Sequence, residues 1–273
     1  MTRVAFQGER GAFSEDAVVR FFGDAELTPC RSFAHVFEFV AKGEADFGVV
    51  PIENSQAGSI NETYDLLLRY DLNIYGEINL RVNHCLMALP SESLAGIKTV
   101  YSHPQALAQC EQFLSKMGVE IVPTYDTAGS AKLIREKRLA NCAAVASKRV
   151  AQIYEMQVLA ENIQTIPNNY TKFFVISKKK AAYAEKNKTS LIFTTKNIPG
   201  ALYHCLGAFS RRGINLTKLE SRPIKDKPWE YIFYVDFEGH LEDDICSQAL
   251  TYLKKKTSFI KILGSYPKAI ESG

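Results

Sequence analysis

The stretch RVAFQGERGAFSEDAVVRFF, residues 3–22, decides the fold class. Arg3 to Gln7 is a short apolar strand that runs into Gly8 and Gly11. Beyond the glycines, Phe13, Ala17, Val18, Phe21 and Phe22 recur at helical spacing. This is a strand-loop-helix unit, and the pattern then repeats. Ser32 is placed to cap a helix carrying Phe33, Val36, Phe37 and Val40, and Phe47 to Val50 reads as a continuous apolar strand stopped by Pro51. A second set follows Arg81, with strands expected at Cys85–Leu89, Lys98–Tyr101, Glu120–Pro123 and Ala143–Ala146, and helices starting near Ser102 and Thr127. Alternating strands and helices imply parallel or mixed sheets. The reading is therefore two α/β lobes, about 1–80 and 81–177, enclosing a cleft beyond the carboxyl ends of their strands.

Further along, KKKAAYAEKNK (178–188) has few apolar residues and separates two strongly patterned regions, so it reads as a linker. Residues 189–273 then follow the order strand, helix, strand, strand, helix, strand, the βαββαβ plan of ferredoxin-like domains. The first helix of this domain is expected over Pro199–Arg212. Asn197 is its expected cap, Leu202, Leu206 and Phe209 form its apolar face, and Gly213 follows its end.

Composition narrows the function classes. Of the 273 residues, 46% are hydrophobic and 23% charged, which supports sizeable cores. The 33 basic and 30 acidic side chains are interspersed, and the short runs Lys178–Lys180 and Lys254–Lys256 read as solvated surface, so neither nucleic acid nor membrane is an expected partner. Six widely spaced cysteines form no C-x-x-C pair, which removes support for a zinc site or a disulfide framework. With no secretory leader pattern and no long apolar run, the expected location is cytoplasmic. Nucleotide, zincin and α/β-hydrolase signatures are missing, and no cofactor or metal is signalled.

Four polar stretches stand out, three of them where strands should end. Glu53, Asn54 and Ser55 follow an apolar strand; they either orient a small ligand or form an ordinary polar loop. Ser102-His103-Pro104-Gln105 has the form of an S-x-x-Q capping box, and Asp126-Thr127-Ala128-Gly129-Ser130 offers a second helix start; two such N-termini would suit a dicarboxylate. Asn169-Tyr170-Thr171-Lys172-Phe173 places a hydroxyl, a cation and a ring on the strand closing the two-lobed region, although a strand of this composition can be only a strand.

Taken together, GERGAFSEDA, VPIENSQAGSI, YSHPQALAQC, the helix start at Thr127 and NYTKF resemble the prephenate dehydratases. Gly200-Ala201-Leu202 and Glu220-Ser221-Arg222-Pro223 resemble that family's phenylalanine-binding ACT domain. The resemblance covers nearly the whole chain. It implies a catalytic region built like a two-lobed type II periplasmic binding protein, a homodimer or homotetramer, prephenate as substrate and L-phenylalanine as allosteric ligand. It makes Thr171 the catalytic residue, a hydroxyl donor to the leaving oxygen; because a threonine hydroxyl is not an appreciable acid at neutral pH, the expectation is either hydrogen-bond stabilisation or a relay through water and a neighbour such as Glu53. Asn54, Ser55, Ser102, Thr127 and Lys172 are then candidates for holding carboxylates and the keto group, with Phe173 as an apolar wall. The family's motif usually has arginine where Lys172 stands, which puts a two-point carboxylate grip there in doubt. For the effector, the resemblance points to Gly200, Ala201, Leu202, Asn215, Leu216, Glu220, Ser221, Arg222 and Pro223. The first strand begins almost at Met1, so a monofunctional enzyme is expected. An arogenate dehydratase and a non-catalytic amino-acid sensor are the rival readings.

Overall fold

A computed structural model of the chain describes residues 1–224 and 227–269. Its backbone packs into two compact units: Met1–Thr63 with Ile78–Phe173, and Tyr64–Glu77 with the chain from Phe174 onward.

The chain opens with β1 (Arg3–Gln7), α1 (Phe13–Phe22), β2 (Glu26–Cys30), α2 (Phe33–Lys42), β3 (Phe47–Asn54) and the two-residue β4 (Gly58–Ser59). Strand β1 runs parallel to β2 on one side and β3 on the other, so Val4, Ala5 and Phe6 are buried on both faces. Ser32 caps α2, its Oγ accepting from the N–H of His35. The strand expected to stop at Pro51 instead continues to Asn54. Its register with β1 ends at Val49, so the missing N–H of Pro51 costs nothing on that side, and the Pro51 carbonyl accepts from Thr63 Oγ1 at 2.8 Å. After α3 (Asn61–Arg69) and β5 (Asn73–Arg81), the later strand β11 (Tyr170–Ser177) returns to this first sheet, whose order is β2-β1-β3-β11-β5.

The second sheet comprises β6 (Cys85–Ala88), β7 (Thr99–Ser102), β8 (Glu120–Pro123), β9 (Cys142–Ala146) and β10 (Gln157–Ala160), in the order β10-β6-β9-β7-β8. Its faces separate by the period of two. Met87 and Ala144 pack with Ala131, Ile134 and Val150, while Leu86 and Val145 pack with Val100, Leu107 and Leu114. Those faces are covered by α4 (Pro104–Gln109), α5 (Glu111–Met117), α6 (Thr127–Lys137) and α7 (Lys148–Ile153). The capping box expected at Ser102 does not form. Pro104 occupies the first helical position, which moves the cap to His103, whose Nδ1 accepts from the N–H of Gln105 at 3.2 Å.

In the second unit, β12 (Asn187–Thr194), α8 (Ala201–Ser210), β13 (Leu216–Ile224), β14 (Lys227–Glu238), α9 (Asp244–Lys256) and β15 (Phe259–Pro267) form an antiparallel sheet of order β13-β14-β12-β15 with βαββαβ connectivity. Leu191, Phe193, Val235 and Phe237 bury one sheet face against Cys205, Phe209, Ala249 and Leu253 of the helices. Asn197 does not cap α8. Ile198-Pro199-Gly200-Ala201 makes a type II turn, with Gly200 at φ 78° and ψ −2° and the Ala201 N–H on the Ile198 carbonyl, so the helix starts only at Ala201. Lys178–Lys180 and Lys254–Lys256 are exposed, but Lys188 is buried, its Nζ 2.7 Å from Glu77 and 3.6 Å from Asp236. All six cysteines are free and buried. Among the described residues no helix is long and apolar enough to cross a membrane.

Candidate active site

Within the first unit, a cavity of about 470 Å³ opens where the carboxyl ends of β1 and β3 face the starts of several helices. Ala12, Phe13 and Ser14 come from the start of α1, Arg31 to Phe33 from the start of α2, and Asp126 and Thr127 from the start of α6. The first-turn N–H groups of a helix have no partner within it and carry its positive end, so three such starts around one cavity favour an anion. Pro51 and Asn54 from β3, and Thr171 and Phe173 from β11, make the opposing wall. A smaller pocket of about 110 Å³, also lined by Asn54, Thr127 and Thr171, extends toward His84 and Gln109.

Thr171 stands at the centre of a side-chain network. Asn54 Nδ2 donates to Thr171 Oγ1 at 3.0 Å, to Asn169 Oδ1 at 2.7 Å and to the Tyr170 carbonyl at 3.1 Å, so its two hydrogens serve three acceptors. Asn54 is held in turn by the N–H groups of Gln56 and Ala57, which both donate to its Oδ1. Because Thr171 Oγ1 accepts from Asn54, its own proton is available to a group in the cavity. Across the cavity Asp126 accepts from the N–H of Glu9 at 2.7 Å and of Ala128 at 2.8 Å. Burial raises its pKa, and those backbone donors oppose the shift. Burial also depresses His103, favouring its neutral ring, against the pull of Asp126.

The structure brings Asn54, Thr127, Thr171 and Phe173 to one cavity and places four other sequence candidates elsewhere. Ser102 remains in β7, fully buried, with its Oγ donating to the Val145 carbonyl at 2.6 Å, so it is removed from the cavity wall. Lys172 lies between Thr171 and Phe173 on a strand, and the period of two sends it to the opposite face. Glu53 likewise precedes Asn54 on β3 and is not among the lining residues. Ser55 is exposed and ties β3 to β11, its Oγ accepting from the N–H of Tyr170 at 2.9 Å. Sequence reasoning gave Gln105 only a capping part and passed over Gln109, although their i, i+4 spacing on α4 was a legible sign of one polar helix face. Asp126, Arg31 and His84 were also passed over as wall residues.

A model of the prephenate dehydratase domain matches residues 4–181, and one of the ACT domain matches residues 189–245. The chain belongs to the prephenate dehydratase family. It is similar to an arogenate dehydratase/prephenate dehydratase of Arabidopsis thaliana, 42% identical over 276 residues that cover 97% of this chain and 72% of the relative. It is also similar to a bifunctional chorismate mutase/prephenate dehydratase of Aquifex aeolicus, 44% identical over 98% of this chain and 74% of the relative. Among solved structures, the prephenate dehydratase of Arthrobacter aurescens in complex with L-Phe superposes with a TM-score of 0.87 at 32% identity, covering 97% of this chain and 89% of that one. A protein described as a novel type of quorum-quenching acylase superposes with a TM-score of 0.89 at 34% identity, covering 97% of both chains. The chain is thus a dehydratase of the prephenate/arogenate family, with phenylalanine biosynthesis the implied setting.

In the dehydratase's ACT domain, the residues pointed to for the effector occupy the turn before α8, the first residues of α8, and strand β13 with the residue before it. Gly200 is in the turn, and Leu202 and Leu216 pack at the edge of one core. Asn215 Nδ2 donates to Glu238 at 3.1 Å. Along β13, Glu220 and Arg222 are half-buried on one face, paired with Lys218 at 3.1 Å and Asp65 at 3.0 Å, while Ser221 and Pro223 are exposed on the other. Ala201 is half-buried in the first turn of α8.

Proposed function

We propose that this dehydratase converts prephenate to phenylpyruvate at the Thr171 cavity and is inhibited by L-phenylalanine bound to its ACT domain. The supporting observation is the Asn54–Thr171 hydrogen bond, which turns the threonine proton toward a cavity whose other walls are helix starts suited to carboxylates. Prephenate must lose carbon dioxide from one ring carbon and hydroxide from the opposite one. The carbon–carbon bond electrons become ring π electrons, the carbon–oxygen bond electrons leave with the hydroxyl, and one proton converts that group to water. A hydroxyl held as a donor at the departing oxygen stabilises its growing negative charge more in the transition state than in the ground state, which is the condition for acceleration. The apolar ring of Phe173 suits the carboxylate that departs as a neutral molecule. Glu53 has no part as a relay in this reading, because it does not line the cavity.

In this reading the molecule is cytoplasmic, and its ACT domain is where copies associate as a dimer or tetramer, with exposed Leu219 and Tyr231 as apolar contact area. Acyl transfer, the chemistry in the description of the acylase relative, is less well supported. The only side chain within hydrogen-bonding distance of Thr171 Oγ1 among the described residues is Asn54, a donor and not a base. Steady-state kinetics on prephenate and arogenate side by side test the assignment. Prephenate should give the higher kcat/KM, and a preference for arogenate would reassign the substrate while keeping the chemistry.

A further inference from the structure

Resting on that reading, we propose that His84, which the catalytic assignment does not use, is a positioning residue. As the tautomer carrying its proton on Nε2, it closes the far end of the hydrogen-bond chain that aims the Thr171 proton into the cavity, holding the Gln109 amide in the one orientation the chain accepts.

His84 precedes β6 and is 2% exposed. Its backbone is fixed at both ends, the N–H donating to Gln164 Oε1 at 3.0 Å and the carbonyl accepting from Ile163. The edge-to-face contact with Phe13, at a centroid distance of 5.6 Å, fixes the ring plane. In that plane Nε2 lies 2.8 Å from Gln109 Oε1. The same oxygen accepts from Asn169 Nδ2 at 2.9 Å. An amide oxygen only accepts, so the hydrogen of the His84 contact belongs to Nε2, and Nδ1 must be bare in the neutral ring. Nδ1 is buried and has no hydrogen-bond partner among the described residues, so nothing there competes for the proton. Burial also lowers the pKa of the ring, against the Gln109 contact, which keeps the neutral form.

The consequence passes down the chain of amides. With two donors on its oxygen, Gln109 turns its Nε2 toward Asn54 Oδ1, at 3.5 Å. That oxygen also takes the Gln56 and Ala57 N–H groups, so Asn54 must present Nδ2 to Thr171, and Thr171 must accept from it. Reversing Gln109 would set its NH₂ group against both the Asn169 NH₂ and the His84 N–H. The Gln56 and Ala57 N–H groups thus fix the direction of the chain at Asn54, and His84 secures its far end at Gln109, three hydrogen bonds from Thr171, without touching it.

Three measurements test this on the full-length protein. A ¹⁵N-histidine correlation spectrum reports the tautomer without any substrate: a bare Nδ1 with protonated Nε2 is expected, and the opposite tautomer overturns the proposal. In kinetics, His84→Phe fills the volume and removes the donor, and kcat should fall, by up to about 10²-fold for a displaced catalytic group, with KM changed less than about threefold. His84→Gln returns an N–H near the Nε2 position and should recover most of kcat. In a Thr171→Ala background, His84→Phe should cost little more, since the two act through one chain. Equal losses for His84→Phe and His84→Gln, or full additivity with Thr171→Ala, would make His84 a packing residue and overturn the proposal. If wild type converts neither prephenate nor arogenate, the dehydratase reading fails; the spectrum tests His84 separately from it.

Discussion

Removing the Thr171 hydroxyl separates a catalytic role from a structural one, because its supports survive the change. In Thr171→Ala, Asn54 Nδ2 keeps Asn169 Oδ1 at 2.7 Å and the Tyr170 carbonyl at 3.1 Å, so no buried donor is orphaned. The stability cost should be that of one hydrogen bond, about 1 kcal/mol. The kinetic cost should be larger: a single donor aimed at developing negative charge is worth about 10²- to 10³-fold in kcat, or about 3–4 kcal/mol. Thr171→Ser keeps the donor and should retain much of the activity. The assay is phenylpyruvate absorbance at saturating prephenate, with a urea titration of each variant alongside. An alanine variant within a factor of a few of wild type, at unchanged stability, would remove Thr171 from the reaction. A loss of activity that tracked a loss of folded protein would show that the hydroxyl is structural and not catalytic.

Other consequences are equally direct. Lys172→Ala should change KM by less than about threefold, since the strand turns Lys172 away from the cavity wall; a tenfold rise would show that the substrate reaches it. Gly200→Ala puts a side chain on a residue held at φ 78°, a left-handed conformation that favours glycine, so the strained turn should shift and raise the phenylalanine concentration for half-inhibition while leaving uninhibited kcat nearly intact; unchanged inhibition would move the effector site elsewhere. Lys188→Ala strands the buried carboxylates of Glu77 and Asp236 and should cost about 3–5 kcal/mol in urea unfolding; a loss under about 1 kcal/mol would show that the buried ion pair does not hold this unit together. Burial pushes the Asp16 carboxyl from 3.8 up to about 6, against the pull of Arg149. A raised acid stabilises the fold most below its unfolded value and least above its folded one. Wild type should therefore lose stability relative to Asp16→Asn between about pH 4 and about pH 6, by at most about 3 kcal/mol; a gain over that range would reverse the sign of the shift.

The architecture was legible because it rests on local pattern. A run such as Val4-Ala5-Phe6 is buried on both faces when a strand lies between two parallel neighbours, and its apolar continuity is visible before any partner is known. The misplaced boundaries have one cause: short-range signals compete. Pro51 normally ends a strand, but only where its N–H is needed; Pro199-Gly200 specifies a turn more strongly than Asn197 specifies a cap; Pro104 hands the cap from Ser102 to His103. Lys188 shows a different limit. In sequence it belongs to a polar run, and only the carboxylates of Glu77 and Asp236, which lie 111 and 48 positions away by residue number, explain its burial.

The site was legible one residue at a time and not as a network. Asn54 ends a strand and Thr127 starts a helix, where topology concentrates function, so position drew attention to them; Thr171 and Phe173 lie on a strand that could have been only a strand, and the family resemblance nominated them. Glu53, Ser55 and Lys172 were nominated by the same proximity, and a strand's alternation or an exposed turn separates them from the cavity. Asn169 and Gln109 are ordinary amides in sequence, and His84 sits in an apolar approach to a strand where a core histidine is the plain reading. Their relation appears only when β6, α4 and β11 meet, and it is one of direction more than proximity. Each amide has one accepting and one donating end, so the backbone N–H groups on Asn54 and the His84 donor on Gln109 hold the chain in a single direction from its two ends. Proton direction along such a chain leaves no trace in the spacing of residues 54, 84, 109, 169 and 171, which is why substitutions that preserve shape but reverse a donor, such as Gln109→Glu, should impair kcat more than their volume change predicts. A Gln109→Glu variant with wild-type kcat across the neutral range would show that the chain tolerates reversal and that direction is not what it stores.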